Sequence, residues 1–146
     1  MSTIRPAELS EAAALATIAR AAYGVYVAEI GRKPPPMLQD FPAAIAAGRV
    51  WVARRPAQGF VIAFARGADW HVENLAVSPA AQGSGLGRTL LAYAEAEGRR
   101  RGHPRVTLYT NAAMSRALAL YPRLGYRETG RTHDDGLHRV HFAKDL

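Results

Sequence analysis

The sequence predicts a mixed α/β domain. Short runs of β-branched and aromatic residues fill the middle of the chain, apolar residues at helical spacing flank them, and Gly- or Pro-rich breaks separate one run from the next. At 146 residues the chain is one domain's worth, enough to bury a sizeable core, and no repeat or linker divides 1–146. Hydrophobic residues at 49% and charged residues at 21% exclude a disordered or fibrous chain. The absence of cysteine excludes disulfides, thiolate metal sites and a cysteine nucleophile, and suits a reducing compartment. No apolar run of about 18 residues occurs, so a cytoplasmic protein without a membrane partner is expected.

Thr3-Ile4-Arg5 reads as a first strand, ended by Pro6 and followed by Glu8 and Glu11, which suit the positive end of a helix. Leu15, Ile18, Ala19, Ala22 and Tyr23 then repeat as one buried helix face. Three prolines, Pro34-Pro35-Pro36, break that helix, and Phe41 to Ala47 resumes it as a short second one closed by Gly48, giving a kinked helical hairpin. Val50 to Ala53 and Phe60 to Phe64 form an antiparallel hairpin, and Trp70 to Val77 is a fourth strand. After the loop Ser78 to Gly87, a third helix carries Leu90, Leu91, Ala94 and Gly98 and stops near Gly102 and Pro104. Val106 to Thr110 is a fifth strand. Met114, Ala117, Leu118, Tyr121 and Leu124 stripe a fourth helix ended by Gly125. Tyr126 to Arg131 and His138 to Lys144 flank the turn signal Asp134-Asp135-Gly136 as a closing hairpin. The expected architecture is a twisted, mostly antiparallel sheet of about six to seven strands with four helices.

Nineteen Lys and Arg against twelve Asp and Glu give a net charge of +7, so the partner is expected to be an anion. Gln82-Gly83-Ser84-Gly85-Leu86-Gly87 lies between a strand and a helix, where closely spaced glycines let consecutive N–H groups face one concavity at the helix's positive end. Such a loop is either a phosphate nest or an ordinary glycine-rich turn. It is not a P-loop, which would end in Gly-Lys-Ser/Thr where this chain has Gly87-Arg88-Thr89, and the strand order does not suit a Rossmann fingerprint.

Three blocks carry a resemblance to the GNAT superfamily of acyl-CoA-dependent N-acyltransferases: Asn74-Leu75-Ala76-Val77 with Pro79, Gln82-x-x-Gly85-x-Gly87 with Leu90-Leu91, and Ala117-x-x-Leu120-Tyr121-x-x-Leu124-Gly125-Tyr126. They span roughly residues 70 to 127. The resemblance implies that Gln82, Gly83, Ser84, Gly85, Leu86, Gly87 and Arg88 wrap the pyrophosphate of coenzyme A. It implies that the pantetheine arm pairs with the backbone of Leu75, Ala76 and Val77, and that the acetyl thioester lies where the fourth and fifth strands splay, near N–H groups able to stabilise an oxyanion.

An attacking amine must lose a proton, and in this family a base often comes from the fourth strand, where Glu73 and His71 lie two apart. Each has a plainer reading, Glu73 as the wet side of the strand and His71 as a hydrogen-bonded sheet residue. The resemblance makes Tyr121 the proton donor, or hydrogen-bond donor, to the departing sulfur; the alternative is a core aromatic. Two departures from the family stand out. Pro122 directly follows Tyr121 and should bend or end the helix, and Met114 occupies a position where many relatives carry a cofactor-contacting asparagine. Asn111 either substitutes for that asparagine or caps the helix. Arg99-Arg100-Arg101 and Arg105 either meet a remaining cofactor phosphate or form a solvated cationic helix end. His133, His138 and His141 lack metal-ligand spacing, and no metal is assigned.

In similar proteins the acceptor lies against the first helical pair and the closing hairpin, which makes Tyr23, Tyr26, Arg32 and Pro34 to Met37 candidate pocket residues, with Arg32 a candidate for an acceptor carboxylate and Pro34 to Met37 equally readable as a rigid connector. The reading that results is transfer of an acetyl group from acetyl-CoA to a primary amine of a small molecule. The alternatives are a protein or peptide N-acetyltransferase and a non-catalytic acyl-CoA- or nucleic-acid-binding module. A small-molecule amine or peptide is the expected partner, nucleic acid is not, and a homodimer is left open.

Overall fold

The computed structural model describes residues 3–134 and 136–146, so Asp135 of the expected turn lies outside the described residues. In chain order the elements are β1 (Ile4–Pro6), α1 (Ala12–Tyr23), the one-turn α2 (Val27–Ile30), α3 (Phe41–Ala46), β2 (Val50–Ala53), β3 (Gly59–Arg66), β4 (Asp69–Val77), α4 (Leu86–Arg100), β5 (Arg105–Asn111), α5 (Ser115–Arg123), β6 (Arg127–Asp134) and β7 (Leu137–Asp145). The strands form one seven-stranded sheet in the order β1-β2-β3-β4-β5-β7-β6. Every neighbouring pair is antiparallel except β4 and β5, which α4 joins as a parallel crossover. The mixed α/β class, the strand number and the four helices are as expected, with α2 as an extra turn.

Each face of the sheet has its own apolar cover. Leu15, Ile18 and Ala19 of α1 and Phe41 and Ala44 of α3 pack on Val50, Val52, Phe60, Ile62 and Ala76. On the other face Leu86, Leu90, Leu91 and Ala94 of α4 pack on Trp51, Val61, Trp70, Val72, Val106 and Leu108, and Leu118, Tyr121 and Leu124 of α5 extend the cover. The expected hairpin of helices is cut into pieces. Gly31 at φ +83 ends α2, and Asp40 accepts from the Ala43 N–H at 3.1 Å to start α3. The helical stretch Leu9–Ile30 has a length and composition that would also suit a membrane span. Within it Leu15, Ile18 and Ala19 are buried on the sheet.

Two irregularities prepare a cleft. β4 and β5 pair only through Trp70↔Val106, His71↔Thr107 and Val72↔Leu108, after which β4 stays with β3 as far as Val77 and β5 stays with β7 as far as Asn111. The sheet therefore opens down its middle. Between β3 and β4 the register steps from Ile62↔Asn74 to Ala63↔Val72, leaving Glu73 without an opposite residue. This is a β-bulge, which breaks the alternation of side chains and re-aims whatever sits at it. Val72 accordingly packs beneath α4, while Asn74 turns to the α1 side, where its amide donates to the Pro36 carbonyl at 3.2 Å.

Candidate active site

The opened sheet creates a cleft of about 1120 Å³. Its walls are the loop before α4, β4 from its last rung at Val72 through the free stretch Glu73 to Val77, the ends of β5 and β7, one side of α5, and Tyr23, Tyr26 and Pro34 to Pro36 from the α1 side.

At one end stands the uncapped N-terminus of α4. Gly83 and Gly85 hold φ of +82° and +85°, a left-handed geometry that glycine adopts without steric cost. Gly85 is the N-cap and has no side chain to satisfy the first turn. The Ser84 N–H and hydroxyl both turn back to the Ala81 carbonyl, and the first closing bond runs from the Thr89 N–H to the Gly85 carbonyl at 3.1 Å. The N–H groups of Leu86, Gly87 and Arg88 precede that bond, so they are the donors a helix leaves without internal partners. No acidic residue lies in this turn, and Arg88 and Arg116 both line the cleft. An exposed row of donors, a helix dipole and two guanidinium groups suit a phosphate ester, and a Cβ at Gly83 or Gly85 would project into open space.

Glu73, displaced by the bulge, and Tyr121 of α5 both line the cleft. Burial pushes the Tyr121 phenol up to about 12, so it keeps its proton at neutral pH. Its ring is fixed against Tyr126 and Phe142 at centroid distances of 5.6 and 5.5 Å. Pro122 does end the helix almost at once: α5 closes at Arg123, and the Tyr126 N–H returns to the Tyr121 carbonyl at 3.1 Å. Tyr23 donates to the Leu75 carbonyl at 2.7 Å, tying α1 to the free stretch of β4, and burial raises its phenol as well.

Of the remaining sequence candidates, Leu75, Ala76, Val77, Gln82 and Asn111 line the cleft, as does Tyr26, whereas Arg32 does not. Asn111 accepts from the Ala113 N–H at 2.9 Å, a turn two residues long that leads into α5, while the N-cap position itself is Met114. The arginines at the end of α4 and just beyond it are held away from the cleft. Arg100 and Arg101 pair with Glu97, Arg101 lies over the rings of Trp70 and Trp51, and Arg105 grips Asp69 at 2.8 Å. Sequence reading missed Arg116, Tyr109 and Arg139, all of which line the cleft. The position of Arg116 one residue into a helix that follows a cleft strand was the available signal for it.

His71 lies elsewhere. It is 3% exposed and borders a separate cavity of about 270 Å³ with Arg66, Thr107 and His141. Its Nδ1 lies 2.9 Å from the Thr107 hydroxyl and its Nε2 3.4 Å from the Arg66 guanidinium, which makes Nε2 the acceptor and Nδ1 the donor. Burial, then the Arg66 and His141 charges, lower its pKa to about 4. The folded value lies below the unfolded value of about 6.5, so the unfolded chain binds the proton more tightly. This contribution to stability is present above pH 6.5 and lost as the pH falls towards 4. We expect the melting temperature to drop between pH 6.5 and 4, and His71→Gln to flatten that drop in a calorimetric pH series.

A model of the acetyltransferase (GNAT) domain matches residues 46–128, more than half of the chain. The chain belongs to the GNAT acetyltransferase family. Mycothiol acetyltransferase from Jonesia denitrificans is 38% identical over 79 residues, which are 54% of this chain and 22% of that protein, so this GNAT chain matches about a fifth of that relative's length. The PaiA N-acetyltransferase of Thermoplasma acidophilum, solved in complex with coenzyme A, superposes with a TM-score of 0.80 at 18% identity, covering 100% of this chain and 99% of that one. The ribosomal-protein-S18-alanine N-acetyltransferase of Escherichia coli superposes at 0.74 with 24% identity, covering 100% and 94%. These likenesses establish that the GNAT fold runs the length of the chain.

Proposed function

We propose that this GNAT chain transfers an acetyl group from acetyl-CoA to the primary amine of a small molecule by direct attack in a ternary complex, in a cytoplasmic setting. The observation that carries the reading is a single cleft that joins an uncapped helix N-terminus to a bulged glutamate and a protonated tyrosine. The relative solved with coenzyme A supports the choice of donor.

In this reading the amides from Gln82 to Arg88 hold the pyrophosphate, and the free stretch Leu75 to Val77 lies along the pantetheine. The donor supplies an activated carbonyl carbon and a thiolate leaving group. Glu73 takes a proton from the incoming ammonium, directly or through one water, because an amine with a pKa near 10 arrives mostly charged. The nitrogen lone pair then forms the C–N bond as the C–S bond breaks, and the second N–H proton, shed as the amide forms, passes through water to the departing thiolate, which leaves as free thiol. Tyr121 donates its hydroxyl hydrogen bond to the sulfur, and the proton on Glu73 leaves to solvent. His71, the other base candidate, is fully engaged with Thr107 and Arg66, and we assign it no proton transfer.

The test is acetyl-CoA-dependent thiol release over panels of small amines and of peptides, with wild type and Glu73→Gln. The expected result is release with small amines and a fall of about 10²-fold in kcat/KM for Glu73→Gln, the lower range for general base catalysis. Faster release with peptides would move the acceptor to the protein class. No release from any acceptor would leave a binding module.

A further inference from the structure

Resting on that transferase reading, we infer that the acceptor is zwitterionic: a primary amine carrying a carboxylate a few bonds away, with Arg139 receiving the carboxylate against the face of Tyr109. Tyr109 on β5 stands opposite His141 on β7, which places Arg139 two residues along β7 on the diagonal. From there its guanidinium lies over the Tyr109 ring at 5.0 Å. Both residues line the cleft together with Glu73. Tyr109 shares that cleft with Tyr121 and Tyr23 as well.

The ring is a fixed platform. His71 stacks on it at 5.9 Å with only 27° between planes, and His141 sits at 5.8 Å. A guanidinium lying on an aromatic face keeps the edge of its fork free, and that edge matches the two oxygens of a carboxylate. Arg139 is half-buried, and among the described residues no carboxylate pairs with it. It thus differs from Arg100, Arg105 and Arg131, which are held by acidic neighbours. Glu73 and Arg139 therefore present one negative and one positive group to the same cleft without neutralising each other. An acceptor with an ammonium for Glu73 and a carboxylate for Arg139 satisfies both.

The experiment compares matched acceptors: several amino acids, their α-amides and their decarboxylated amines. Each is assayed by thiol release with wild type, Arg139→Met and Arg139→Lys, and acetyl-CoA affinity is measured in parallel by calorimetry. Wild type should prefer the acids over the amides and simple amines by about 10- to 100-fold in kcat/KM, the worth of a charge-assisted pair. Arg139→Met should erase that preference by slowing the acids alone, with acetyl-CoA affinity unchanged. Arg139→Lys should keep part of it. Equal rates for acids, amides and amines in wild type, or an equal fall for all three in Arg139→Met, would overturn the inference while leaving the transferase intact. No release from any acceptor would overturn both.

Discussion

Tyr121→Phe is expected to lower kcat by about 10- to 100-fold with acetyl-CoA affinity unchanged, as read by steady-state kinetics and calorimetry. The substitution removes one oxygen and keeps the ring contacts with Tyr126 and Phe142, so the wall of the cleft stays in place. The size of the effect follows from the raised phenol. Held at about 12, Tyr121 is a weaker acid than a thiol near 8.5, so full proton transfer to the departing sulfur runs uphill. Its contribution is a hydrogen bond that strengthens as charge develops on sulfur, which is the kind of interaction that lowers kcat when lost without weakening binding. A kcat equal to wild type would remove Tyr121 from the reaction and leave it as a core aromatic.

Gly98→Ala is expected to cost about 1–3 kcal/mol of stability or more, the range for overpacking a tight core. At Gly98 a Cβ would stand 2.5 Å from Trp70 Cδ1 and 2.7 Å from Cγ, far inside contact distance. The indole cannot give way cheaply, because it is fully buried and its Nε1–H donates to the Ala94 carbonyl of the same helix at 2.9 Å. A loss of this size would lower the melting temperature by about 2–10 °C in a chain of this length. Because Trp70 starts the short β4–β5 pairing, acetyl-CoA affinity should fall as well. Unchanged melting would show that α4 can shift outward without loss.

Much of the fold could be read from residue types alone. The strands, the glycine loop and the stripe of α5 follow from local pattern, because periodicity and turn chemistry act over a few residues. Strand ends were read short: β3 runs to Arg66 and β5 to Asn111, since a cross-strand partner can extend a ladder past the last apolar residue. The cleft was only half legible. Tyr121 and the Gln82 to Arg88 loop carry local signatures, but the bulge at Glu73 is a fact of pairing between β3 and β4 that neither strand's composition reveals. The two-residue spacing of His71 and Glu73 suggested one shared face, yet the bulge gives them different cavities. Tyr109 and Arg139 are thirty residues apart and meet only through the β5–β7 register, which has no counterpart in a linear pattern.

The splay between β4 and β5 has a further consequence. The gap is walled on one side by Tyr23, Tyr26 and Pro34 to Pro36 and on the other by Leu86, Gly87, Ala117 and Tyr121, so helices from both faces of the sheet reach it. In the assigned reaction the donor would lean on the α4 and α5 side and the amine on the α1 side, each partner gripped by a different layer of the fold. The place where they meet would lie just beyond Val72 and Leu108, the last shared rung of the ladder that holds the two halves of the sheet together.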